Sequence, residues 1–129
     1  MAVIVLAMAL TTALSAMQRA FLELDTARNL QIGGNIMQCE MEKERLLSWS
    51  QLNDATYLPS IDSSFLRDPA IAGRFALSRS LTMIPQRGEQ MVQVTLTVTW
   101  RTFDGRSVVR SYKTYFCKGG LYNYLYQNV

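Results

Sequence analysis

The chain has 129 residues, a formal net charge of +3, no histidine and two cysteines. That length allows one modest core. The missing imidazole removes the usual general base near neutral pH, and with it Ser–His–Asp and Cys–His catalysis. Cys39 and Cys117 are too few and too far apart for a structural zinc site, and the basic residues are scattered, which argues against a nucleic-acid footprint. No enzyme, cofactor or metal is expected from this composition.

Residues 1–17, MAVIVLAMALTTALSAM, carry no charge, and Gln18 and Arg19 follow. Three readings compete. A cleaved secretory signal matches the apolar run and Ala13-Leu14-Ser15, but lacks a basic stretch in front. A transmembrane helix needs about 20 apolar residues, so this run sits at the short limit. A buried soluble helix is disfavoured because the run is apolar all round. Val3, Ile4, Val5, Leu6, Leu10, Leu14, Met17 and, one turn on, Phe21 are the side chains expected to meet a membrane.

No Pro or Gly intervenes before Gly33, and good helix formers dominate from Ala13 to Arg28. The apolar run therefore passes into an amphipathic helix reaching about Trp49, weakened or bent at Gly33-Gly34. At 1.5 Å per residue it is about 70 Å long, more than a small domain can cover. Phe21, Leu24, Arg28, Ile32, Ile36, Cys39, Leu46 and Leu47 are expected on its buried stripe, and Glu40, Glu42 and Glu44 on a solvated face.

Ser48 to Pro69 reads as a connector, with Asp54, Asp62 and Asp68 as turn residues rather than calcium ligands. Phe75–Ile84 alternates and reads as a strand. In MVQVTLTVTW, Val92, Val94, Leu96, Val98 and Trp100 face one way and Gln93, Thr95, Thr97 and Thr99 the other, as in an antiparallel sheet wet on one side. Asp104-Gly105 signals a two-residue hairpin, with Arg106–Cys117 returning as the partner strand. A simple hairpin pairs Trp100 with Val109, Leu96 with Lys113 and Val92 with Cys117. Cys117 then faces the helix stripe, and a Cys39–Cys117 disulfide is expected, worth about 4 kcal/mol in the chain-entropy model. The alternative is two buried free thiols. In the tail, Tyr122, Tyr124 and Tyr126 form either a contact surface or a closing segment over the sheet edge.

The expected class is α+β: a long N-terminal helix, hydrophobic then amphipathic, on an antiparallel sheet of three to four strands. Residues 1–49 form the helical part and residues 50–129 the globular part. MAVIVLAMALTTALSAMQRAFLELDTARNL, then VQVTLTVTWRTFDGRSVVRSYKTYF and GGLYNY, resemble the type IV pilin superfamily, which includes the pseudopilins of type II secretion systems. The resemblance implies a structural subunit, a minor pilin or pseudopilin, whose apolar helix is stored in the bacterial inner membrane and then forms a filament core. Its implied partners are other such subunits and the secretion or pilus machinery, with the remaining domain in the periplasm or outside. The family's basic leader, and the glutamate shortly after its processing site, have no counterpart here, so Met1 is expected to be an internal residue of a longer helix. The calcium loop of some pseudopilins is not carried over, because the loop after Cys117 has no acidic residue. The alternative function is a monomeric membrane-anchored or secreted periplasmic binding domain.

Overall fold

A computed structural model describes residues 2–54, 60–61, 67–85 and 90–120. Its centre is β2 (Met91–Arg101), flanked antiparallel by β1 (Phe75–Met83) and β3 (Ser107–Cys117) in the order β1-β2-β3. The alternation in β2 decides the packing. Val92, Val94, Leu96, Val98 and Trp100 are at most 2% exposed, and burying side chains of this kind contributes roughly 1.5–3 kcal/mol each.

One long helix, α1 (Ala2–Glu44), covers that face with its C-terminal half. Asn29, Gly33, Ile36, Glu40 and Glu44 form its buried line. Ile36, Phe75, Val98 and Trp100 make one core cluster, in which the Phe75 and Trp100 rings stack with centroids 5.8 Å apart. A second cluster, Leu52, Val92 and Val94, is closed by α2 (Trp49–Asn53) with Leu47, Trp49 and Phe116 packed around it. A short helix, α3 (Pro69–Ala72), leads into β1 and adds Ile71 to the first cluster.

α1 stops at Glu44, five residues short of the expected Trp49, because Ser48 starts a new helix. Its hydroxyl accepts from the Gln51 amide, and the Gln51 side chain accepts from the Ser48 amide, a capping box that ends α1 and opens α2. α1 is unbroken through Gly33-Gly34. Gly33 answers to a close approach: a Cβ there would lie 3.2 Å from Trp100 Cζ3 and 3.3 Å from Val98 Cγ1. Gly34 meets nothing within 4 Å.

The β2–β3 hairpin differs from the simple one by a single residue. The Thr102 amide donates to the Arg106 carbonyl and the Gly105 amide to the Thr102 carbonyl, both at 2.9 Å, and Gly105 has φ 82°. The loop is therefore Phe103-Asp104-Gly105, three residues ending in a left-handed glycine. The extra residue moves the register by one, so Trp100 faces Val108, Leu96 faces Tyr112 and Val92 faces Phe116. Lys113 and Cys117 turn to the outer face, opposite Thr95 and Met91. That spares Lys113 a burial it could not sustain.

The buried stripe of α1 is also rotated from its expected position. Ile32 and Ile36 pack inward, but Phe21, Leu24, Arg28, Cys39 and Leu46 are exposed. Glu40 and Glu44 are buried rather than solvated. Glu44 receives a hydrogen bond from Arg79 on β1, and Glu40 lies 4.0 Å from the same guanidinium. Only Glu42 keeps to the wet side, paired with Arg45 at 2.7 Å.

Candidate functional site

The N-terminal half of α1 is not buried by any of the other described residues. Every residue from 2 to 24 is exposed, including Val3 at 78%, Leu10 at 56% and Phe21 at 60%. Ile4, Val5, Leu6, Leu14 and Met17 join them on a helix that stands clear of the sheet. Residues 2–24 span about 35 Å at 1.5 Å per residue. The helix is long and apolar enough to cross a membrane, and none of its most apolar window is buried in the protein.

The hydroxyls of its charge-free run are satisfied within the helix. Thr11 donates to the Ala7 and Met8 carbonyls at 3.0 Å, Thr12 to Met8 at 2.8 Å and Ser15 to Thr11 at 2.8 Å. These hydroxyls, like the amides beyond the first turn, therefore meet acceptors within the helix, which lowers the cost of placing the segment in hydrocarbon.

A second pattern runs along the same cylinder. Ala2, Ala9 and Ala16 recur every seven residues, and so do Ala13, Ala20 and Ala27. The two sets interleave by three and four, which places them on one seam of period 3.5, shared only with Leu6 and Glu23. Small residues on such a seam let two helix backbones approach closely.

The boundary between the exposed and packed halves is polar. Asp25 accepts from Asn29 Nδ2 at 2.9 Å and pairs with Arg74, just before β1, at 3.3 Å. This clasp fixes the point where α1 leaves the domain. The β2–β3 hairpin tip reaches the same level: Phe103 and Asp104 line a groove of about 630 Å³ with Gln18, Phe21, Leu22 and Asp25. At the tip, a hydrogen bond from the Thr102 hydroxyl, helped by Arg106, holds the Asp104 carboxyl below its ordinary value.

Cys39 and Cys117 are not brought together. Both are free thiols, Cys39 exposed on α1 and Cys117 half-buried on the outer sheet face, where burial pushes its pKa up. The cause is the one-residue register shift together with the rotation of the helix stripe. Tyr122, Tyr124 and Tyr126 lie outside the described residues. Among the described residues, no group of His, Cys, Asp or Glu could hold a metal ion.

Two features went unread in the sequence. The alanine seam was there to be found as a seven-residue repeat. The buried Arg79–Glu44–Glu40 group was signalled by an arginine at an inward position of an alternating strand. No protein-family model, curated protein or solved structure matches the chain.

Proposed function

We propose that this chain is a membrane-held structural subunit that assembles, through the N-terminal half of α1, with other helices of the same kind. In this reading it is a type IV pilin-like or type II secretion pseudopilin-like protein, a minor subunit of a filament. The helix is stored in the bacterial inner membrane and later exchanges lipid contact for helix contact, while the sheet domain lies on the periplasmic or outer side. The observation that carries the reading is the length of α1: about 35 Å of exposed helix, free of charge up to Met17, projects from a domain that covers only the other half. The alanine seam favours helix partners over a lone anchor, because a lone anchor gains nothing from small residues in heptad register.

The test is native electrophoresis of the full chain extracted from membranes in mild detergent. Multimers are expected, and Ala16→Leu, which fills the seam without reducing apolarity, should convert them to monomers that remain in the membrane fraction. A wild-type chain that is monomeric at every concentration favours the membrane-anchored binding domain instead.

A further inference from the structure

The hairpin tip between β2 and β3 stands at a particular height along α1. The charge-free run ends at Met17, and Phe21, four residues on, is about 6 Å further along the axis. A bilayer of about 40–45 Å with a hydrocarbon core of about 30 Å leaves an interfacial layer of roughly 5–7 Å on each side. Phe21 therefore falls within that layer when residues 1–17 occupy the hydrocarbon. Phe103 and Phe21 line the same groove between hairpin and helix, whose helix side runs from Gln18 to Asp25, so the hairpin tip stands at the level of the first turns beyond the charge-free run.

Phe103 is 84% exposed, although it is a large aromatic at the tip of a tight loop, where polar residues are the usual choice. Its loop is held stiff by the Gly105 turn and by Asp104, which accepts from both Thr102 and Arg106. Leu22, also at this level, is partly open. Arg19 has no ion pair among the described residues, and Arg106 lies beside it across a neighbouring groove lined by Leu22, Glu23 and Thr26. The surface thus has an aromatic side chain at its centre and a rim of mixed charge, Arg19 and Arg106 beside Glu23, Asp25 and Asp104, an apolar centre with a polar edge that suits the headgroup layer.

We propose that the β2–β3 hairpin tip, led by Phe103, rests in the headgroup layer of the bilayer that holds α1. The domain then touches the membrane at two points, helix and hairpin, which fixes its rotation about the helix axis and chooses which face of the seam is open to a neighbour. The inference rests on the membrane reading of α1, and the experiment separates the two.

Single nitroxide labels are placed by Leu10→Cys, Phe103→Cys and Tyr115→Cys, each in the full chain carrying Cys39→Ser and Cys117→Ser. The protein is reconstituted at low density in vesicles of phosphatidylethanolamine and phosphatidylglycerol. Collision with oxygen, which partitions into lipid, is compared with collision with a water-soluble nickel chelate. The expected result is an oxygen-to-nickel ratio highest at Leu10, lowest at Tyr115 and severalfold above Tyr115 at Phe103. A Phe103 label as aqueous as Tyr115, with Leu10 in lipid, overturns the hairpin contact and leaves the membrane helix standing. A Leu10 label in water overturns both. A Phe103 label shielded from both reagents means that a neighbouring copy covers the tip, and overturns the lipid contact.

Discussion

The two halves of α1 are one helix with two kinds of surface. From Asn29 to Glu44 it follows the rules of a soluble core: glycine where a tryptophan approaches, isoleucine over the sheet, and charge buried only with a counter-charge. From Ala2 to Leu24 no side chain is buried, apolar residues cover every side, and the hydroxyls bond back to the helix. The same backbone geometry serves both because an α-helix needs no outside partner for its own amides. The difference lies in what a substitution should disturb: in the packed half, the stability of the domain; in the projecting half, where the protein resides and what it joins.

The sharpest way to break this comparison is at Arg79. Its side chain is 7% exposed and shared between Glu44 and Glu40, which are 1% and 5% exposed. Arg79→Met removes the guanidinium that the buried Glu44 and Glu40 share and should cost about 3–5 kcal/mol, read by urea unfolding of the full chain in detergent. Near-neutral behaviour would mean that water reaches the group. Next in size is Leu10→Lys, which should raise the cost of placing the helix in a bilayer by about 3 kcal/mol and leave domain unfolding unchanged. Partition between membrane and soluble fractions checks the first effect, and the same urea curve the second.

Gly33 and Gly34 sharpen the comparison at single-residue scale. Gly33→Val must push against Trp100 and Val98, and should destabilise by about 1–3 kcal/mol. Gly34→Ala enters open space on a helix and should stabilise by up to about 1 kcal/mol. Equal effects at the two sites would contradict the packing described. The smallest effect is expected at Asp104. Its carboxyl is held below the ordinary value in the folded hairpin, so its contribution is present at neutral pH and is lost as pH falls through that lowered value. Chemical shifts at Thr102 and Gly105 should titrate with it, and Asp104→Asn should remove the transition.

Much of the architecture was legible because it rests on periodicity. The alternation of β2 gave its buried face residue for residue, and the apolar run of α1 gave a helix too long for its domain. Where sequence reading slipped, the errors were of phase rather than type. One residue more in the Phe103-Asp104-Gly105 loop reversed the faces of β3 and took Cys117 away from Cys39, a difference a dipeptide signal cannot resolve. The buried line on α1 runs through Asn29, Glu40 and Glu44, which hydropathy assigns to water. Only the inward-facing Arg79, one strand away, makes their burial intelligible. The projecting half of α1 was legible as apolar, but its alanine seam is a spacing of small residues within an already apolar field, where hydropathy has no contrast.

The most direct test of the account is a disulfide scan of that seam. Single cysteines are introduced at each position from Ala9 to Ala16 in the full chain lacking Cys39 and Cys117, and the protein is oxidised in native membranes. Dimer yield should peak at Ala9, Ala13 and Ala16 and fall at Leu10 and Leu14, following the 3.5-residue period. A flat profile, or no dimer at any position, would contradict assembly through this helix.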